Sequence, residues 1–262
     1  MCIICDGDYD VNMTDLNCKS CSCIICIPYL PLLTNLRCLY CTELICIPVM
    51  PSLIQLNCGG CPLLTNIPYL PLLTTLECFE CPLLTCIPDL PLLAHLYCGD
   101  CPLLSHIPSL HLLTSLDCNN CESLTYIPKL PLLTDLNCNF SPITCISYLP
   151  LVRVIKCNHC KLLTSIFNLP LLYQLELYGC PLLTGMSCVP LLTHISGRGC
   201  PFLYLPHKMR LEFNQPLNTL INKIRWLQIK TKRNFKNKVS SIILDNTIFY
   251  PVLIDIITDY SF

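Results

Sequence analysis

Residues 73–92 read LTTLECFECPLLTCIPDLPL, and the same sequence pattern recurs along most of the chain with a period of 20 residues. We call each 20-residue unit a rung. Two cysteine series mark the rungs, one through Cys78 and one through Cys81. The first series comprises Cys18, Cys38, Cys58, Cys78, Cys98, Cys118, Cys138 and, after one deletion, Cys157. Two further rungs carry Leu177 and Gly197 at this position, which makes ten rungs. A fixed period of this length predicts a stacked solenoid.

The composition limits the possible classes of protein. The 262 residues are 53% hydrophobic and 13% charged, with 25 cysteines, 23 prolines, a net charge of -1 and a mean hydropathy of +0.55. These values exclude a highly charged disordered chain. Prolines or polar residues interrupt every apolar run of spanning length, so we expect no membrane span. The start of the chain has no basic region typical of a secretory signal, and we therefore expect a cytoplasmic protein with reduced thiols.

The prolines determine the path of each unit. Two per unit, such as Pro88 and Pro91, exclude a regular helix in the limb that returns to the next rung. They favour an extended, polyproline-like path. Residues 76–79 alternate between inward and outward positions, as a short half-buried strand does. Stacked rungs would place these strands in a parallel sheet at a spacing of about 4.8 Å and bury the apolar positions along one axis.

The pattern L-x-x-L-x-C-x-x-C-x-x-L-x-x-I-P-x-L-P resembles a leucine-rich repeat over about residues 13–206. Its positions are filled, for example, by Leu93, Leu96, Cys98, Cys101, Leu104, Ile107 and Pro108. The usual repeat has leucine where this chain has its first cysteine. The short unit is similar to repeats of secreted bacterial effectors. Its cysteine-rich sequence pattern is more similar still to mimivirus-like repeat proteins of giant DNA viruses of amoebae. The resemblance implies a right-handed leucine-rich-repeat solenoid with a parallel sheet on its concave face, extended convex limbs and little helix.

The chain divides into an N-terminal edge (1–12), the solenoid (13–206) and a basic C-terminal segment (207–262). The last segment holds nine Lys and Arg against four Asp and Glu. Apolar residues at helical spacing over 217–227, after Pro216, predict a small helical cap. We interpret the basic residues of 223–238 as a solvated helix edge, with a calmodulin-type or basic binding site as the alternative.

The repeated C-x-x-C pairs have the spacing of zinc or iron–sulfur ligands. The repeat alone also explains this spacing, so the favoured interpretation is two buried columns without a cofactor. The leucine-rich-repeat resemblance implies that the second column hydrogen-bonds the backbone of the turn. Equivalent cysteines of adjacent rungs lie close enough for a disulfide. A denser N-terminal group supplies the less favoured metal candidates, namely Cys2, Cys5, Cys18, Cys21, Cys23 and Cys26.

Positions between the inward residues vary from rung to rung while the frame is repeated. Such variation is typical of a recognition surface, although exposed positions also tolerate drift. The middle rungs are acidic with nearby aromatics, which favours a protein partner over nucleic acid. The candidate partner-binding residues are Arg37, Tyr40, Glu77, Phe79, Glu80, Tyr97, Asp100, Asp117, Asn119, Asp135, Asn137 and Phe140.

We therefore expect a monomeric, non-enzymatic protein–protein interaction module that binds a protein partner on the concave face of the solenoid. The viral resemblance implies a host protein as partner and the host cytoplasm as location. The alternatives are a substrate reader for ubiquitin ligation, as in the bacterial effectors, and a cysteine-rich metal-binding array. Residues 207–262 contain no cysteine for a ligase, and the six histidines are scattered without a catalytic constellation.

Overall fold

The computed structural model describes residues 2–183, 185–187, 189 and 191–200. These residues contain one short helix, α1 (Ile3–Asp6), and thirteen strands of three residues each. The strands are β1 (Asp15–Asn17), β2 (Asn35–Arg37), β3 (Gln55–Asn57), β4 (Thr75–Glu77), β5 (His95–Tyr97), β6 (Ser115–Asp117), β7 (Asp135–Asn137), β8 (Cys145–Ser147), β9 (Val154–Lys156), β10 (Ser165–Phe167), β11 (Gln174–Glu176), β12 (Gly185–Ser187) and β13 (His194–Ser196). The chain winds through them as a parallel β-solenoid of about nine turns.

Ten strands form one long parallel sheet in the order β1-β2-β3-β4-β5-β6-β7-β9-β11-β13. The register follows the repeat, so that Leu76 pairs with Leu56 on one side and Leu96 on the other. After the deletion, Leu136 of β7 pairs with Ile155 of β9. The middle residue of each strand is buried and its neighbours face outward. The predicted parallel sheet with little helix is thus confirmed within the described residues.

The core consists of columns that run along the stack. Both cysteine series point inward as predicted, and every described member of them is at most 6% exposed. Leucine and isoleucine columns, represented by Leu84, Ile87 and Leu90, complete one continuous cluster. Ser141 takes the place of a second-series cysteine and is also buried. The apolar side chains of one rung are covered by those of the two adjacent rungs. The stack, and not the single unit, therefore buries the apolar surface.

A second sheet, which the sequence does not predict, lies on the return limbs. It has the order β12-β10-β8. Earlier rungs carry an Ile-Pro pair at the equivalent position, and there only isolated bridges form, Cys26 to Cys46 and Cys86 to His106. Proline has no N–H to donate, so it prevents a continuous ladder. Ser147 and Phe167 stand where the earlier rungs have proline, and their amides allow the strands to form.

The turn after each strand of the long sheet contains a residue with a left-handed backbone. Glycine occupies this position at Gly60, with φ of 69°, but Tyr40, Glu80 and Phe140 adopt φ of 56°, 53° and 59° there. Residues with a Cβ enter this region at a cost of about 1 kcal/mol or more, whereas Asn tolerates it. Asn120 shows that the repeat accepts asparagine at this place.

Replacing Glu80 by Asn is therefore expected to stabilise the protein by about 0.5–1 kcal/mol. Urea unfolding followed by circular dichroism measures the change. Glu122→Asn serves as the control, because Glu122 is exposed and is not among the described residues with positive φ. Equal shifts in both variants would show that loss of the negative charge, and not the backbone conformation, causes the effect.

The predicted helical cap (207–262) and its basic residues (223–238) lie outside the described residues. No helix in the described part of the chain is long and apolar enough to cross a membrane.

Candidate binding surface

The twelve candidate partner-binding residues lie on the long sheet's outward side or in the turns that follow its strands. All twelve are exposed or half-buried. Their places follow from the strand alternation: in β5, Leu96 points into the core while His95 and Tyr97 face outward. We call this side the sheet face. The structure thus brings the candidate residues onto one surface, which extends over six consecutive rungs, from that of Cys38 to that of Cys138.

Half of the candidates surround one open depression in the middle of the sheet face, with a volume of about 370 Å³. Its lining consists of Glu77, Phe79, Tyr97, Gly99, Asp100, Asp117 and Asn119. The remaining candidates, which do not line it, are Arg37, Tyr40, Glu80, Asp135, Asn137 and Phe140. The depression therefore combines three carboxylates and two aromatic rings from three adjacent rungs.

Gly99 is the lining residue that sequence reasoning missed. It occupies the same position in its rung as Phe79 and Asn119 in theirs. A Cβ on Gly99 would lie 2.2 Å from Oδ1 of Asn119, so a side chain could not be added without moving that amide. The absence of a side chain lets the amide of Asn119 lie against the backbone of Gly99. The signal in the sequence was a glycine at a position where the adjacent rungs carry side chains, Phe79 and Asn119.

Neutral amides of neighbouring rungs hold the carboxylates in place. The amides of Asn119 and Asn120 donate to Asp100 over 3.4 and 2.7 Å, respectively. Asn137 donates to Asp117 over 2.9 Å, and Asn57 donates to Glu77. Such bonds fix the orientation of a carboxylate without neutralising its charge. The depression is therefore acidic, and its carboxylates are held by hydrogen bonds within the chain.

Aromatic side chains extend the sheet face on either side of the depression. Tyr40 and Phe79 meet edge to face with ring centroids 6.4 Å apart. Phe140 stacks on His159 at 4.8 Å and is still 55% exposed. Tyr97 is 37% exposed. These rings offer apolar contact area at little cost in conformational entropy, which is typical of interface anchors.

The six N-terminal metal candidates separate into distinct environments. The sulfurs of Cys2, Cys5 and Cys21 lie within 4.8 Å of one another. Cys18 is buried and its Sγ lies 3.6 Å from the carbonyl oxygen of Arg37. Cys23 is exposed and does not belong to the three-sulfur group.

Cys26 is excluded from the metal candidates because it forms a disulfide with Cys46. The two residues occupy the same column of adjacent rungs, with Cα atoms 5.0 Å apart. For this pair the structure departs from the expectation that the thiols stay reduced, whereas the other described cysteines are free. The short distance between equivalent positions of adjacent rungs makes the bond possible.

The second cysteine column hydrogen-bonds the backbone, as the resemblance implies. The Sγ atoms of Cys61 and Cys101 donate to carbonyls 23 residues earlier in the chain, over 3.1 and 3.2 Å. Burial raises the pKa of the Cys78 thiol, and it raises the pKa of Cys101 to about 12. The second column thus serves the turns by hydrogen-bonding their carbonyls from rung to rung.

The described fold is that of a leucine-rich-repeat-like solenoid, defined by its own 20-residue period and parallel register. No protein-family model and no curated protein matches the chain. Among solved structures, it is similar to a leucine-rich repeat protein from Bacteroides ovatus, with 15% identity and a TM-score of 0.38. The match covers 72% of this chain and 65% of the other, so it spans less than two thirds of that protein.

Proposed function

We propose that this protein is a non-enzymatic interaction module that binds a protein partner on its sheet face. The observation that carries the proposal is the acidic depression with aromatic walls, held on a repeated scaffold. Solenoids of this kind present extended surfaces whose side chains can vary independently of the core. The function therefore consists of complementary contact, without covalent chemistry.

The chemistry of the depression favours a basic segment of the partner. Asp100, Asp117 and Glu77 can accept hydrogen bonds from an arginine or lysine, and charge-assisted bonds of this kind are the stronger ones. The rings of Phe79 and Tyr97 add apolar and cation–π contact to the same side chain. Nucleic acid would bring phosphates to carboxylates and is disfavoured. The resemblance to giant-virus repeat proteins predicts a host protein as this partner, and we expect a monomer; both stay predictions.

A peptide library displayed on phage and selected on the immobilised chain tests the proposal. We expect the enriched peptides to combine Arg or Lys with an aromatic or aliphatic residue. Calorimetry with an enriched peptide should show affinity reduced by about tenfold or more in the triple variant Phe79→Ala, Tyr97→Ala, Asp117→Asn.

The matched control changes the same kinds of residue on the return limbs: Tyr29→Ala, Tyr69→Ala and Asp89→Asn. These three side chains are exposed, and we expect the control to bind like the unmodified protein. Enrichment of acidic peptides, or equal loss of affinity in both triple variants, would contradict the assignment of the sheet face.

A further inference from the structure

We propose that the N-terminal edge of the solenoid binds one zinc ion through the thiolates of Cys2, Cys5 and Cys21. The Cys5 and Cys21 sulfurs are 3.3 Å apart, and the Cys2 and Cys5 sulfurs are 3.9 Å apart. All three sulfurs lie within 4.8 Å of one another. In a tetrahedral site with Zn–S bonds of about 2.3 Å, two sulfurs are about 3.8 Å apart. The group therefore needs only small adjustments to ligate an ion.

Local structure brings the first two ligands together. Cys2 is the N-cap of α1 and Cys5 lies in its single turn, so a C-x-x-C pair is folded onto one side. Gly7, with φ of 74°, ends the helix in the left-handed conformation. Cys5 is thereby placed against the first rung of the stack. Two ligands thus come from the N-terminal edge and one from the solenoid.

Cys21 departs from the other cysteines of its column. In the next rungs, Cys41 and Cys61 donate to the carbonyls of Cys18 and Cys38, both over 3.1 Å. At Cys21 the sulfur of Cys5 takes the place of that carbonyl. The repeat explains why a cysteine stands at position 21, but it does not explain two further thiols beside it.

The chemistry of three thiols selects the ion. Thiolates are soft ligands that suit zinc and exclude magnesium and calcium. Binding releases the three S–H protons to solvent and leaves a fourth coordination position, which a water molecule fills. Cys2 and Cys5 are half-buried, so this position can be reached from solvent, whereas Cys21 is 6% exposed. The ion would fasten α1 across the open end of the core, where terminal rungs need a cap.

Cobalt(II) titration of the full chain, purified under reducing conditions without chelator, tests this site. Cobalt in thiolate coordination gives a sulfur-to-metal charge-transfer absorption and visible bands of tetrahedral type. We expect one equivalent to bind, zinc to displace it, and X-ray absorption at the zinc edge to show three sulfur ligands and one lighter ligand. Added zinc should also raise the thermal midpoint.

The variants Cys2→Ser and Cys5→Ser should weaken cobalt binding by at least about tenfold and remove the zinc-dependent rise in the thermal midpoint. Cys21→Ser should do the same while remaining folded, because Ser141 occupies the equivalent place in another rung. The controls Cys23→Ser and Cys86→Ser change exposed cysteines outside the group and should bind normally. Absence of the absorption in the unmodified chain, or its persistence in Cys5→Ser, would overturn the proposal.

Discussion

Replacement of Leu104 by Ala is expected to lower the free energy of unfolding by about 2–5 kcal/mol. Leu104 is fully buried in the continuous core cluster. Its truncation removes three carbon atoms from a column in which the neighbouring members, Leu84 and Leu124, are also fully buried. Since the backbone pairing on both sides keeps the rungs in register, we expect little collapse of the resulting cavity and a cost in the upper part of this range.

The neighbouring Leu103 provides the matched control. It is 48% exposed, although it has the same side chain and the same local sequence. Leu103→Ala should change stability by no more than about 0.5 kcal/mol. Urea unfolding monitored by circular dichroism compares the two variants. A similar loss in both would contradict the orientation that the structure assigns to this Leu-Leu pair.

The position of Leu104 in the middle of the stack adds a second expectation. In a solenoid, stability depends on each rung and on its contacts with the two neighbours. A defect in a central rung weakens contacts in both directions, so we expect a broader unfolding transition with a lower m-value as the two halves lose cooperativity. An unchanged m-value would show that the stack unfolds as one unit.

The period of 20 made the core predictable, because a position that recurs in every rung must face the same environment. The inward leucines and both cysteine columns follow from this argument. The second sheet does not, because it depends on which rungs lack the Ile-Pro pair. Ser147 and Phe167 have the backbone N–H group and the free φ angle that proline lacks, and these allow the limb to pair as a strand. Whether a limb pairs also depends on the limb of the next rung, because a strand needs a partner.

The sequence predicts which positions lie on the sheet face, but it does not predict the depression in that face. The strand alternation predicts that Tyr97 and Asp117 face outward. The depression between them is also lined by Gly99, and the amide of Asn119 from the adjacent rung occupies the place that a Gly99 side chain would take. Likewise, the sequence groups six N-terminal cysteines. The structure places Cys5 in the three-sulfur group and Cys26 in a disulfide with Cys46.

The high mean hydropathy has a second source besides the core. The residue just before the inward leucine of the 73 position, a leucine in most rungs and usually preceded by proline, faces outward instead of toward the axis. Leu72, Leu92 and Leu112 are 44%, 40% and 43% exposed. The repeat therefore places an apolar column on its surface as well as in its interior. Hydropathy averaged over the unit cannot distinguish the two.

The two cysteine columns are expected to respond differently to serine. Cys101 belongs to the second column, where Ser141 provides a natural comparison. The Ser141 hydroxyl donates to the carbonyl of Cys118 over 2.9 Å and accepts from the amide of Cys121 over 3.1 Å. Cys101 Sγ makes the equivalent donation to Cys78. Cys101→Ser should therefore change stability by less than about 1 kcal/mol. Cys101→Val, which leaves that carbonyl without its donor, should cost about 1–3 kcal/mol.

Cys98 belongs to the first column, where the ninth rung carries Leu177 in a fully buried position. This column accepts an apolar side chain, and Cys98→Ser should cost about 1–3 kcal/mol because it buries a hydroxyl in apolar surroundings. Urea unfolding of the two serine variants, under reducing conditions, makes the comparison within one rung. Equal costs at positions 98 and 101 would mean that hydrogen bonding to the turn does not distinguish the columns. A larger cost at Cys98 would show that one column is selected for its polarity and the other for its apolar volume.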